Sequence, residues 1–181
     1  MKLIKQDLIL DPHLPGTIPV QRCQIGDIAR RLKAIQPRVL GVAIQVSAAG
    51  RVRTLAFSTG RSIYAVDIDV IHDSRALPGD SSFVSLLAGT TGITLAGFDM
   101  AAQALHLYRH LGLHVQGVDL STLHSRFANR PHLPSEVVAE SGYSEVKWNH
   151  VDQLWDILGE WRELCLRAWI SARLLFVHIM S

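Results

Sequence analysis

The spacing of apolar residues divides the chain into predicted helices and strands. Apolar positions three and four apart predict a helix over 25–36, which Pro37 ends. The same spacing predicts helices over 80–89 and 100–112, each of which ends in a glycine. Apolar runs of strand length, joined by short polar or Gly-containing links, predict five strands: 38–47, 51–58, 61–69, 92–98 and 114–121.

The order of these elements predicts an α/β fold with a mixed sheet flanked by helices. Short links join the first three strands, so we expect them to be antiparallel, whereas the last two alternate with helices and should be parallel. An apolar stripe over 151–179 predicts one long C-terminal helix, or two helices broken near Gly159. Three prolines within 1–20 predict an extended N-terminal arm, which leaves 21–181 as the domain.

Composition narrows the classes of protein. The chain has 181 residues, of which 48% are hydrophobic, and this suits one compact domain. The 19% of charged residues is lower than the usual share of about 25%, which fits either a surface covered by a partner or a large core. A net charge of +2 neither requires nor excludes binding to nucleic acid.

The cysteines, histidines and termini exclude several kinds of site. Cys23 and Cys165 lack the spacing of zinc ligands, so we expect no metal cofactor and a reducing intracellular compartment, cytoplasmic or nuclear. His106, His110 and His114 have helical spacing without nearby carboxylates, which favours a solvated helix face. The apolar N-terminal run lacks a cleavage site, and the C-terminal one contains arginines, so we predict neither a signal peptide nor a membrane span.

Residues 20–178 resemble the DEDD 3′–5′ exonuclease domain of the ribonuclease D and Werner-exonuclease type. The most telling stretch is "GITLAGFDMAAQALHLYRHLGLHVQGVDLSTL". The resemblance rests on an ordered set of residues in it: Gly97, Leu107, Gly112, Leu113 and Val118-Asp119-Leu120. The resemblance implies a ribonuclease H-like fold with three antiparallel strands followed by two parallel strands.

The family's chemistry requires four carboxylates that hold two divalent cations. The resemblance places the first two at Ala43 and Gln45, and the third at Gln103. It places the last motif, a tyrosine and an aspartate four residues apart, near Cys165 and Trp169. None of these side chains is a carboxylate, so we expect no metal, no cofactor and no catalytic residue, that is, an inactive exonuclease-like domain.

An alternative active site is also available in the sequence. Asp67 and Asp69 lie two residues apart on a predicted strand, so their side chains share one face. Together with Asp119, which follows another strand, they are the candidates for an active metal-dependent nuclease. The competing interpretation is that these aspartates cap turns at the edge of the sheet.

Binding is the function that remains for an inactive domain. Related inactive domains imply a protein-interaction scaffold, with a protein partner or a homodimer, in an RNA-silencing or RNA-processing complex. Four aromatic residues are the candidates for partner contacts: Trp155, Trp161, Trp169 and Phe176. The alternative is a module that binds RNA or DNA without cutting it. Six arginines are the candidates for phosphate contacts: Arg38, Arg51, Arg53, Arg61, Arg126 and Arg130.

Overall fold

The computed structural model describes residues 5–9, 17–68, 81–123, 132–140 and 161–180. These residues form strands β1 Lys5–Ile9, β2 Thr17–Cys23, β3 Val39–Val46, β4 Val52–Ser58, β5 Ile63–Asp67, β6 Thr94–Gly97 and β7 Val118–Asp119. They also form helices α1 Ile25–Ile35, α2 Ser81–Leu87, α3 Met100–Leu111, α4 Leu120–Leu123, α5 Pro134–Glu140 and α6 Trp161–Met180. Asp69 and residues 151–160, which include the predicted break at Gly159, lie outside the described residues.

The strands form one mixed sheet in the order β1-β2-β5-β4-β3-β6-β7. β3, β4 and β5 are an antiparallel meander, while β6 pairs parallel to β3, and β7 parallel to β6. The predicted α/β class is therefore confirmed, with three antiparallel strands followed by two parallel strands and a long C-terminal helix.

The N-terminal segment adds a hairpin that the sequence analysis did not predict. β1 and β2 pair with each other, and β2 continues the sheet by pairing parallel to β5. The predicted boundary at residue 20 therefore falls inside β2. The pairing of β2 with β5 begins at Val20. Pro19 lies just before it, so the missing N–H of the proline does not interrupt the hydrogen bonds between these two strands.

The two faces of the sheet are covered by different helices. Val42 and Ile44 of β3 belong to the main hydrophobic core, to which α1, α2 and α3 contribute. Ala43, the residue between them, packs on the other face against α6. Because β3 is covered on both faces, its sequence is an almost unbroken apolar run, as is usual for central strands.

Helix α6 lies unusually close to β3. A Cβ atom added to Gly41 would be 1.9 Å from the carbonyl oxygen of Ala168 and 2.5 Å from the backbone nitrogen of Ala172. Only glycine fits at such a contact between a strand and a helix backbone.

Among the helices that the structure describes, none has the length and apolar character needed to cross a membrane.

Candidate active-site cleft

Ala43 of β3 and Gln103 of α3 meet α6 around a small cavity of about 90 Å³. Its polar lining comes from the start of α3 and from α6, whereas β3 contributes apolar residues. The side chains that matter for its chemistry are Ala43, Asp99, Gln103, His106, Arg167 and Ser171. We call this space the α6 cavity.

The β3 side of the α6 cavity is apolar. Ala43 is 3% exposed and packs in a cluster with Ala56, Leu164 and Ala168. These short side chains allow the helix backbone to approach the sheet, and none of them offers an oxygen ligand. Gln45 points to the same face two residues along β3, opposite Thr54 of β4, and does not line the cavity.

The α3 side carries one carboxylate. Asp99 precedes α3 with a left-handed backbone (φ 52°) and makes no capping bond from its side chain. Its carboxylate is exposed and lines the α6 cavity, as the one acidic side chain among the described lining residues. Gln103 donates its amide N–H to the Phe98 carbonyl at 2.8 Å, and its Oε1 is buried without a hydrogen-bond partner among the described residues.

The α6 side carries a buried cation. Arg167 is 3% exposed and donates from Nη2 to the Ile44 carbonyl at 3.2 Å. Ser171, one turn later, is 1% exposed and lines the same cavity. A guanidinium stays protonated at all physiological pH values, so this position carries a permanent positive charge.

The residues predicted for the last motif lie elsewhere on α6. Cys165 packs in the cluster of Ile18 and Ile63, and the Trp169 indole N–H donates to the Gly60 carbonyl at 3.1 Å. A shift of two residues rotates a helical side chain by about 200°, which explains why Arg167 and Ser171 reach the cavity and this pair does not. The α6 side chains that line the cavity therefore lie two positions after the predicted pair. Their signal in the sequence is two polar residues four apart in an apolar helix.

Asp67 and Asp119 are both engaged in hydrogen bonds. Asp67 accepts from the Thr54 hydroxyl at 3.0 Å and from the Arg22 guanidinium at 3.5 Å. Asp119 accepts from the Met100 N–H at 2.9 Å, and from the N–H and hydroxyl of Ser121 at 3.0 and 2.7 Å. These contacts tie Asp119 to the start of α3 and to the following helical turn.

The topology separates these two aspartates. Asp67 lies on β5 and Asp119 on β7, with β4, β3 and β6 between them. Four strand spacings of about 4.8 Å place them about 19 Å apart, too far to share an ion. No group of three or more histidine, cysteine, aspartate or glutamate side chains within the described ranges is arranged to hold a metal.

The arginines that the sequence analysis singled out do not form one track. Arg38 precedes β3 and Arg61 lies in the β4–β5 turn, at one end of the meander, whereas Arg51 and Arg53 lie at the other end, next to the β3–β4 turn. The eight residues of β3 span about 26 Å between these ends. Arg126 and Arg130 lie outside the described residues.

The aromatic candidates mostly pack within the domain. Trp161 lies under the Arg22 guanidinium, 5.1 Å from its ring centroid, and like Trp169 it packs against a buried cluster. Phe176 is different, because it is 50% exposed in the last turns of α6, and Ile179, three residues later, is 53% exposed. Trp155 lies outside the described residues.

His106 lines the α6 cavity, whereas His110, His114 and the two thiols lie elsewhere in the described part of the domain. His110 Nδ1 accepts the Val52 N–H at 3.2 Å, and the His114 ring lies 5.1 Å from the Tyr108 ring, so two of the three histidines make ordinary structural contacts. Burial raises the pKa of the Cys165 thiol to about 12 and also raises the pKa of Cys23. Both thiols are therefore protonated at neutral pH and are poor nucleophiles.

The chain matches no family model and no curated protein, but it is similar in structure to solved exonucleases. It superposes on Trypanosoma brucei RNase D, solved as a GMP complex, with a TM-score of 0.61 and 14% identity, covering 88% of this chain and 57% of that one. Escherichia coli RNase D gives a TM-score of 0.59 and 16% identity, covering 86% of this chain and 43% of that one. Brucella melitensis NrnC gives a TM-score of 0.57 and 15% identity, covering 82% of this chain and 75% of that one.

The chain therefore has the fold of 3′–5′ exonuclease domains, as its resemblance in sequence implied. It spans about half the length of the two RNase D chains. At these levels of identity the similarity establishes the fold, and the activity must be argued from the residues of the cleft.

Proposed function

We propose that this chain is a catalytically inactive 3′–5′ exonuclease-like domain that serves as a protein-interaction scaffold in an RNA-silencing or RNA-processing complex. The observation that carries the first part is the buried guanidinium of Arg167 in the α6 cavity. Two-metal hydrolysis needs a pair of divalent cations about 4 Å apart, held by several carboxylates. A fixed positive charge in the same small space repels such ions.

The size and shape of the cavity support the same conclusion. Its volume of about 90 Å³ is well below the roughly 300–1,000 Å³ that small-molecule sites usually measure. Ala43 contacts α6 directly, so the β3 face offers neither a ligand nor space for one. Asp99 alone lacks the charge to bind two cations in competition with the Arg167 guanidinium.

A nuclease assay tests the loss of catalysis. End-labelled single-stranded RNA and DNA are incubated with excess protein and Mg²⁺ or Mn²⁺, beside the same protein carrying Asp99→Asn. We expect no shortening by either protein, because one carboxylate beside Arg167 should not bind two cations. Asp99→Asn is the control, since it removes the one carboxylate that the described cavity contains. Stepwise shortening from the 3′ end that EDTA stops and Asp99→Asn abolishes would overturn the proposal.

The alternative nuclease site has its own control. Asp67→Asn and Asp119→Asn are assayed in parallel, although their separation across the sheet argues against a shared ion. If one of these variants no longer shortens the substrate while Asp99→Asn still does, catalysis belongs to an aspartate outside the α6 cavity. That result would also reject the inactive-domain proposal.

The scaffold role is supported by the exposed apolar pair of Phe176 and Ile179 on α6. Exposed apolar side chains on one helix face are the usual anchors of a protein interface. Light scattering of the native chain and of a Phe176→Ser, Ile179→Ser variant tests whether this pair supports self-association. If the native chain is a dimer and the variant is a monomer, the result supports a homodimeric scaffold. If both proteins are dimers, the interface lies elsewhere.

The second candidate is a module that binds RNA or DNA without cutting it. The fold favours it, since the similar T. brucei RNase D was solved with GMP. A titration with single-stranded RNA and DNA at increasing salt distinguishes the candidates, because phosphate contacts weaken steeply with ionic strength. Salt-dependent binding by a monomer would favour this second candidate over the scaffold.

A further inference from the structure

A second, larger cavity lies on the opposite face of the sheet from α6. It measures about 570 Å³ and is enclosed by α1, α2 and the residues that lead into β6. This volume falls within the range of about 300–1,000 Å³ that small-molecule sites occupy. We call it the α1–α2 cavity. It shares no lining residue with the α6 cavity, so the two are independent sites.

The inner wall of the α1–α2 cavity is apolar and fixed in place. Leu32 is 1% exposed and Leu86 is 2% exposed, and both belong to the main core. Ile93 packs against the same core from the segment before β6. A ligand with an aliphatic or aromatic body would remove apolar surface from water by packing against this wall.

The mouth of the α1–α2 cavity is positively charged. Lys33 on α1 and Arg38 before β3 both line the cavity and are exposed, so their charged ends are hydrated and able to reach a ligand. None of the described residues that line the cavity is acidic. Ser85 and Thr91 add hydroxyl groups that can donate hydrogen bonds to an anion.

We propose that the α1–α2 cavity binds a small amphipathic organic anion, whose apolar body contacts the leucine wall and whose acidic group lies between Lys33 and Arg38. The charge complementarity selects an anion over a cation, and the apolar wall selects an organic body over inorganic phosphate. Carboxylate, sulfonate and phosphate head groups all carry the negative charge that these two residues would attract. The proposal goes beyond the scaffold function and does not depend on it.

Two fluorescent probes that differ in charge test this site. Anilinonaphthalene sulfonate is an apolar ring system with an anionic group, and N-phenylnaphthylamine is its neutral counterpart. We expect the native full chain to bind the sulfonate more tightly than the neutral probe. Added salt should weaken binding of the sulfonate and leave binding of the neutral probe unchanged. Lys33→Gln, Arg38→Gln should weaken sulfonate binding about tenfold, as two partly solvated charge contacts would, and leave the neutral probe unchanged.

A matched variant and a blocking variant complete the test. Arg51→Gln, Arg109→Gln removes the same charge at exposed residues outside the cavity, and should bind both probes like the native chain. Ser85→Phe places a ring in the cavity and should weaken both probes. Equal loss of sulfonate binding in the two charge variants would show general attraction to a basic protein and would reject the site.

Two other results would also overturn the proposal. Failure of the native chain to bind the sulfonate would do so at once, because the probe has the proposed chemistry. If light scattering showed a dimer that Lys33→Gln, Arg38→Gln dissociates, a second copy of the chain would be the occupant of the cavity. Circular dichroism of each variant confirms that altered binding is measured on folded protein.

Discussion

Replacing Gly41 with alanine tests whether α6 lies on β3 as closely as the structure indicates. The added Cβ would lie 1.9 Å from the Ala168 carbonyl oxygen and 2.5 Å from the Ala172 nitrogen. Both are backbone atoms of a helix, so neither can rotate away as a side chain would. Since non-bonded heavy atoms are in contact at about 3.5 Å, α6 must move from the sheet by roughly 1 Å or more.

The cost of that movement can be estimated from the contacts it disrupts. Overpacking a well-packed core usually costs about 1–3 kcal/mol, and more where the surroundings cannot adjust. Here the whole helix must shift and separate from Ala43, so we expect Gly41→Ala to lower the free energy of unfolding by about 3 kcal/mol or more. For a chain of this length that corresponds to a fall in Tm of about 6–12 °C, measured by circular dichroism.

Gly50→Ala is the matched control, because it makes the same chemical change without a clash. Gly50 has φ +73° and no heavy atom within 4 Å of an added Cβ, so the cost is that of a left-handed alanine, about 1 kcal/mol. If Gly41→Ala lost no more stability than this control, α6 would not lie against β3 as described. The close packing of Ala43 against α6 would then no longer support an inactive cleft.

Three further predictions concern buried contacts. Trp169→Phe leaves the Gly60 carbonyl without its indole donor and should cost about 1–2 kcal/mol in urea denaturation. Asp119→Asn disturbs three hydrogen bonds and should lower the free energy of unfolding by about 2 kcal/mol. Asp67→Asn should lower it by less, because the ion pair of Asp67 with Arg22 is partly exposed. Burial raises the pKa of Cys165 from 9.0 to about 12; its stabilising contribution should therefore be complete below pH 9.0 and be lost as the pH rises towards 12. Cys165→Ala should flatten that decline in urea titrations.

The central part of the fold was predictable because its local signals agree with its topology. Short Gly-containing links require antiparallel neighbours, and helices between the later strands require parallel ones. The β1–β2 hairpin was missed because three prolines within 1–20 argued for an extended arm. Its pairing with β5 begins at Val20, after the last of these prolines, and it depends on a partner more than 40 residues away in sequence. Local patterns carry no information on such a contact.

The candidate site was only partly predictable for a similar reason. Along β3 the alternation of side chains fixes which residues share a face, so Ala43 and Gln45 could be assigned to one face of the sheet from the sequence. A helix that is apolar on most of its faces gives no such reference, so the sequence did not indicate that Arg167 and Ser171 would line the cavity. The separation of the arginines also follows from the strand register, because residues near in sequence can lie at opposite ends of a hairpin.

The residues on which the proposal of an inactive cleft rests also account for the close packing of α6. Ala43 and Ala56 carry no charge and little volume, so Ala168 can pack directly against them. The Arg167 guanidinium then has the Ile44 carbonyl as a partner in place of water. Two-metal hydrolysis at this cleft would require α6 to move away from Gly41 and to expose the apolar cluster that it now covers.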